Sequence, residues 1–237
     1  MKITAFGLTD RGQLRERNED TLLVNDTHQV YAVADGLGGL PEGSLASQLA
    51  INRLEKALED PKFSENLDYP KLFNSISDAV HVEGKKVSKE IGIGTTLTVL
   101  KFDGNEFSIG HVGDSMIFLV RDRSCSQVTT DHTMAVEMRA RLEPGEDTYI
   151  PEYFSHTLTR CIGQPGIIET DVYTLKPAAG DRLLIGSDGL TKTMSDEDIL
   201  NDTVAAKNPK TLVEDFIAKA NERGAPDNVT VIAIFVE

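Results

Sequence analysis

The sequence predicts an α+β fold in which antiparallel sheets carry helices on their outer sides. Three observations predict it. Short, β-branched, turn-bounded runs read as strands. They come in adjacent groups, 95–121 and then 172–186, rather than alternating singly with helices as a parallel doubly wound sheet requires. Stretches with helical apolar spacing fall between those groups.

The elements follow in order. Residues 2–7 (KITAFG), 21–24 (TLLV) and 30–34 (VYAVA) are strand-like. A helix follows over 43–58, where Leu45, Leu49, Leu54 and Leu58 recur on one side. A second helix is expected over 69–90, then strands over 95–102, 106–111 and 116–121. Residues 131–166 lack clean periodicity and read as a long irregular insertion, a kind of segment that is uncommon unless functional. Pro144, Gly145 and Pro165 suit such a loop. Strands at 172–175 and 182–186, a helix at 209–222 and a strand at 229–236 complete the set. No Pro/Gly/Ser-rich linker, repeat or low-complexity tract interrupts the chain, so residues 1–237 read as one domain.

Apolar residues make up 40% of the 237, too many for a disordered chain, and the length lets a core form without disulfide staples. Against 24 Lys and Arg stand 38 Asp and Glu, a net charge of −14. Such a surface repels phosphate backbones and anionic lipid, so neither nucleic acid nor membrane is an expected partner. A phosphate ester would need something local, such as bound cations, to reverse that field. Cys125 and Cys161 form no CxxC pair, which argues against a disulfide framework and fits a reducing compartment. The start, MKITAFGLTDRG, has no apolar signal-peptide core, and the longest apolar stretch, 229–236, is too short to span a bilayer. A cytoplasmic, monomeric protein is expected.

The informative residues are carboxylates at strand ends. Asp35 closes VYAVAD, Asp114 follows SIGHVG, Asp188 follows LLIGS, Asp227 precedes NVTVIAIFV, and Glu19 and Asp20 precede TLLV. A carboxylate beside a buried strand is costly unless paired or metal-bound, and few basic residues adjoin these positions in sequence. Gly36 and Gly189 follow two of them and Gly113 precedes a third, which allows sharp turns and close backbone approach. Such oxygen donors suit hard cations, Mg²⁺ or Mn²⁺. A single Asp-Gly is ordinary turn chemistry. Five such placements in one chain point to metal, although spacing alone leaves their convergence open.

Rival motifs fail. Residues 38–44 (GGLPEGS) lack the Lys of a P-loop, and Pro41 stands where a dinucleotide fingerprint needs its third Gly. There is no GxSxG elbow and no HExxH helix. Ser115 has an esterase-like setting, but the last histidine is His156, so no late Asp/His pair serves it. His28, His81, His111, His132 and His156 have no mutual metal-ligand spacing and read mostly as surface or packing residues.

Taken together, the segments 12–20 (GQLRERNED), 33–39 (VADGLGG), 94–98 (GTTLT), 111–115 (HVGDS), 158–163 (LTRCIG), 184–190 (LIGSDGL) and 227–231 (DNVTV) resemble the metal-dependent Ser/Thr protein phosphatases, the PPM or type 2C family, in their compact bacterial form. Each segment alone is weak; in this order, over nearly the whole chain, they are specific. The resemblance implies a four-layer α-β-β-α sandwich with two central antiparallel sheets and a metal centre at one end. By the same resemblance Asp35 would bridge two Mn²⁺ or Mg²⁺ ions and the carbonyl of Gly36 would ligate the first. Asp188 and Asp227 would ligate the second. Glu19 and Asp20 would hold waters around the first ion. Asp114, with Asp188, matches a weaker third site of bacterial members. Arg15 matches the phosphate-binding arginine, whose planar fork suits a phosphate better than Lys would. Arg17, two positions off, reads as surface. Asp35, Asp188 and Arg15 are thus the expected catalytic set. Residues 131–166 fall where the family carries its flap, whose composition would affect substrate choice.

The implied reaction is hydrolysis of phosphoserine and phosphothreonine in proteins by a water bridging two ions about 3.5–4 Å apart, with no phosphoenzyme. Two departures stand out. Leu37 occupies the position of a histidine thought to be the general acid in many eukaryotic relatives, which leaves metal-bound water or His132 as candidates, water being favoured. Met116 stands where Arg often follows HVGDS. Two readings follow: an active phosphatase acting on phosphoproteins, with a partnering Ser/Thr kinase, or a non-catalytic relative that binds metal or phosphopeptide. A non-catalytic relative would typically have lost Asp35, Asp188 or Asp227, and none is missing.

Overall fold

A computed structural model describes residues 1–38, 40, 42–60, 68–143 and 148–237. Gly39, Pro41, Pro144 and Gly145, which figure in the motifs and the expected loop, lie outside the described residues. The strands are β1 (Ile3–Asp10), β2 (Asp20–Asn25), β3 (Val30–Asp35), β4 (Leu97–Phe102), β5 (Phe107–Val112), β6 (Met116–Arg121), β7 (Ser124–Gln127), β8 (Asp171–Leu175), β9 (Arg182–Gly186) and β10 (Val229–Val236). The helices are α1 (Gly43–Leu58), α2 (Tyr69–Val87), α3 (Met134–Arg141), the short α4 (Asp188–Thr191), α5 (Asp196–Ala205) and α6 (Pro209–Glu222). A 3₁₀ turn spans Glu152–His156.

Among the described residues ten strands form two five-stranded antiparallel sheets, ordered β1-β10-β9-β6-β7 and β2-β3-β4-β5-β8. The period of two sorts side chains into three cores. On β3, Tyr31 and Val33 face the space between the sheets, while Val30, Ala32 and Ala34 face outward toward α1 and α2. On β10, Ile232, Ile234 and Val236 point between the sheets, and Val231, Ala233 and Phe235 point toward α5 and α6. The result is the expected helix–sheet–sheet–helix layering.

Some details differ from expectation. The groups 95–121 and 172–186 are not meanders within one sheet: β5 and β8 belong to one sheet and β6 and β9 to the other. The chain changes sheets at Gly113-Asp114-Ser115, where Gly113 takes φ +114° and any Cβ would lie 2.5 Å from Thr96 Cγ2. The buried face of α1 is made by Gly43, Ala46, Ser47, Ala50, Ile51, Leu54 and Leu58, while Leu45 and Leu49 are only partly buried. The stretch 131–166 is not wholly irregular: Thr133 caps α3 by accepting from the Val136 amide, and isolated bridges join Thr133 to Leu158 and Thr95 to Ile162. Among the described residues no helix is long and apolar enough to cross a membrane.

Candidate active site

The antiparallel register gathers the strand-end carboxylates at one end of the sandwich. Asp20 opens β2 and Asp35 closes β3, and the two are direct cross-strand partners. Asp114 lies between β5 and β6. Ser187 and Asp188 follow β9 where it pairs with β10, and Asp227 stands just before β10. Arg15, Glu19, Asp35, Gly36, Asp114, Asp188 and Asp227 all line one cleft of about 590 Å³. Asp20, 7% exposed, lies below it.

Local packing explains the glycines. A Cβ on Gly36 would fall 2.3 Å from the Gly43 carbonyl and 2.7 Å from that of Glu19. Gly36 therefore lets α1 start against the site, and its amide donates to Glu19 O at 3.1 Å. On the Glu19 carbonyl Ser47 Oγ also donates, at 2.6 Å.

The electrostatics are those of crowded carboxylates. Asp20 Oδ2 accepts from Ser187 Oγ at 2.8 Å and Thr230 Oγ1 at 2.6 Å, while its Oδ1 is buried with no hydrogen-bond partner. Burial pushes Asp20 up to about 6 despite those two donors. Asp35 is raised well above the usual carboxylate range, first by burial and then by the charges of Asp20, Asp188, Asp114 and Asp227. Asp114 rises to about 7 through burial, then through Asp188 and Asp131. Asp227 behaves differently. Burial would raise it, but Lys192, the Asn228 amide and Arg15 outweigh that, and it falls below the ordinary value.

Two cations answer part of this charge. Arg15 grips Asp227 with both arms, Nη2 to Oδ2 at 2.9 Å and Nε to Oδ1 at 2.8 Å. A Cβ on Gly38 would lie 2.6 Å from Arg15 Nη1, so the bare backbone leaves room for the guanidinium. Lys192 Nζ lies 2.6 Å from Asp188 Oδ2 and 2.6 Å from Asp227 Oδ2. Among the described residues no three His, Cys, Asp or Glu side chains are gathered into a ready ion cage. The donor chemistry nevertheless suits hard divalent cations: all-oxygen ligands, a carboxylate oxygen without a partner, and carboxyls at Asp20, Asp35 and Asp114 whose pKa values burial and mutual repulsion raise.

Sequence reasoning missed several contributors. Lys192 sits four residues after Asp188, an i,i+4 spacing that could have revealed it. Asn228, 4% exposed, accepts from the Glu19 amide at 2.8 Å and donates to the carbonyls of Arg11 at 2.8 Å and Arg17 at 2.9 Å, pinning the loop that carries Arg15 and Glu19. His156, read as surface or packing, lines the cleft with Thr157, Leu158 and Cys161 of the expected flap. Leu37 and Leu40 form an apolar wall with Leu158.

His132 does not suit the role of acid. It is 4% exposed, its Nδ1 accepts from the Gly113 amide at 3.1 Å, and Nε2 lies 3.3 Å from Asp171. Burial lowers its pKa, which favours a neutral structural ring whose centre lies 4.7 Å from that of His111, tilted by 45°. Met116 is 4% exposed and packs with Leu184 and Leu190. Arg17 is exposed as expected, 3.8 Å from Glu42.

The protein phosphatase 2C family model matches residues 12–223. Protein phosphatase PhpP of Streptococcus pneumoniae is 33% identical over 96% of this chain and 95% of its own length. Serine/threonine phosphatase stp of Listeria monocytogenes is 30% identical over 95% and 93%. Among solved structures, the catalytic domain of serine/threonine protein phosphatase PstP in complex with two manganese ions superposes with a TM-score of 0.81 at 30% identity, over 99% of both chains. The S. agalactiae serine/threonine phosphatase gives 0.85 at 29% identity over the whole of both chains. With strand-end carboxylates gathered over one cleft and these relatives matched end to end, the chain belongs to the protein phosphatase 2C family.

Proposed function

We propose that this protein hydrolyses phosphoserine and phosphothreonine monoesters in other proteins, at the cleft above Asp35. The observation that carries this reading is a set of strand-end carboxylates gathered at one open cleft beside a guanidinium, with a buried oxygen of Asp20 that has no hydrogen-bond partner. Family membership supports it, as does the pair of manganese ions in the PstP structure.

Asp35 would hold both of two Mn²⁺ or Mg²⁺ ions, with Gly36 O on one side and Asp188 and Asp227 on the other. Glu19 and Asp20 would orient the surroundings, and Asp114 would serve a third ion. Such ions supply a nucleophile at neutral pH and neutralise developing negative charge. The chain's own residues do the rest. Arg15 reaches the cleft from a loop held by Asn228 and, on releasing Asp227, would bind the non-bridging phosphate oxygens with its planar fork. Ser187 and Thr230 fix Asp20, which stands cross-strand to Asp35. Leu37 and Leu40 exclude water along one wall and offer no proton. Among the described residues His156 is the imidazole that lines the cleft and is a candidate, beside the favoured water, to protonate the leaving oxygen.

We also propose that residues 1–237 are one catalytic domain with its flap at 131–166, acting as a monomer in the cytoplasm on substrates of a partner Ser/Thr kinase. The two unpaired cysteines, Cys125 and Cys161, support a reducing compartment. The test is Asp35→Asn with a phosphothreonine peptide and Mn²⁺. Loss of kcat by about 10² or more is expected of a residue that holds both ions, with the fold intact by circular dichroism. Retention of wild-type turnover would refute the reading.

A further inference from the structure

Lys192 carries a consequence beyond pairing. Its ammonium lies at 2.6 Å from one oxygen of Asp188 and 2.6 Å from one oxygen of Asp227, so it occupies the position of an ion shared by those two carboxylates. Arg15 also holds Asp227, at 2.8 Å to Oδ1 and 2.9 Å to Oδ2, the latter being the oxygen that Lys192 takes. The Lys192 side chain is one-quarter exposed, and its backbone is fixed by an amide bond to Asp188 O at 3.0 Å. The stem can therefore swing while the backbone stays. Lys192 lines two clefts: the one above Asp35, and a neighbouring one of about 320 Å³ lined also by Asp114, Asp131, Ser155 and His156. That neighbour, lined also by Asp188, offers the ammonium an acidic place to go as long as Asp114 holds no third ion.

We propose that Lys192 is a tethered counter-ion of the Asp188–Asp227 pair, which a divalent cation must displace, so that this residue sets the metal affinity of the site. The inference rests on the metal-dependent reading above. A cation and an ammonium cannot both approach one carboxylate pair closely without strong repulsion in a partly desolvated cleft. In the metal-free protein the lysine neutralises two carboxylates that would otherwise repel each other. In the loaded protein its charge opposes the ion.

The test is calorimetric titration of the chelator-treated protein with Mn²⁺, comparing wild type, Lys192→Met, Lys192→Gln and Lys192→Arg, together with melting of each without metal. The neutral variants are expected to bind Mn²⁺ about tenfold tighter or more and to melt lower than wild type when metal-free. Lys192→Arg is expected to keep near-wild-type affinity. If Lys192→Met does not fold without metal, Lys192→Gln, which retains hydrogen bonding without charge, carries the comparison. Equal or weaker Mn²⁺ binding by the neutral variants, with wild type binding normally, would overturn the counter-ion role alone. No Mn²⁺ binding by any of the proteins would overturn the metal reading, and this inference with it.

Discussion

Replacing Asn228 with alanine removes three hydrogen bonds at once: one from the Glu19 amide at 2.8 Å and two to the carbonyls of Arg11 and Arg17 at 2.8 Å and 2.9 Å. All three partners belong to the loop between β1 and β2, and Asn228 itself is 4% exposed, so water replaces the lost bonds poorly. At about 1 kcal/mol per net hydrogen bond the fold should lose about 3 kcal/mol. For a chain of this length that is a fall in Tm of roughly 6–12 °C. The same loop positions Arg15 and Glu19, so the loss should also reach the site. We expect KM for a phosphothreonine peptide to rise at least about fivefold, the range of a weakened charge-assisted contact. Thermal melts in chelator and steady-state kinetics with Mn²⁺ read the two effects separately. A Tm within about 2 °C of wild type, or an unchanged KM, would refute the claim that this one amide pins the phosphate-binding loop.

Other outcomes follow from the same structure. Arg15→Ala should raise KM for a phosphopeptide by about tenfold or more while leaving the fold intact, since a bidentate charged contact to phosphate is lost; an unchanged KM contradicts the assignment. Gly189→Ala places a Cβ 1.9 Å from the Asn228 carbonyl, so it should destabilise by about 3 kcal/mol and shift the strand that carries Asp227; a stable, fully active variant would show that contact to be slack. His111 is held neutral by burial, its pKa pushed down to about 3 from 6.5, with Thr98 on one ring nitrogen and the Thr130 carbonyl on the other. The unfolded chain therefore takes up a proton there below 6.5 that the folded chain refuses. The stability is complete above that pH and is lost as pH falls toward 3, at up to about 1.4 kcal/mol per unit. Urea unfolding should show His111→Gln losing less stability than wild type between pH 7 and 5; equal losses contradict it.

The layered fold was legible wherever one strand serves two cores. In β10 (VTVIAIFV) the alternate residues divide between the inter-sheet core and the core beneath α5 and α6, and the run was found at its true ends. The sheet change at Gly113 was not legible, because a tight turn between two apolar strands looks the same whether or not they pair. The helix α1 lies where predicted, but only half of its leucine stripe is fully buried. Of Leu45, Leu49, Leu54 and Leu58 the last two lie in the core, whereas nearer the site the helix presents the small residues Gly43 and Ser47 against Glu19. The helix α5 was missed although Ser195 and Asp198 form a capping box, a signal that could have been used. The strand β7 (SCSQ) is a polar edge with no apolar pattern to betray it. Of the site, the carboxylates announced themselves because acid at a strand end has a cost. Lys192, Asn228 and Ser187 did not, since their roles depend on contacts across 35 to 209 residues of chain, or on a helix too short to recognise from sequence.

The central claim is that the carboxylate cluster over Asp20 and Asp35 is a divalent-cation site serving phosphoester hydrolysis. The most direct measurement is release of inorganic phosphate from a phosphothreonine peptide by the purified wild-type protein, first stripped with chelator and then titrated with Mn²⁺. No turnover without metal, and recovery that saturates with added Mn²⁺, is the result predicted. Turnover unchanged by chelation, or none at any Mn²⁺ concentration from a folded protein, would contradict it.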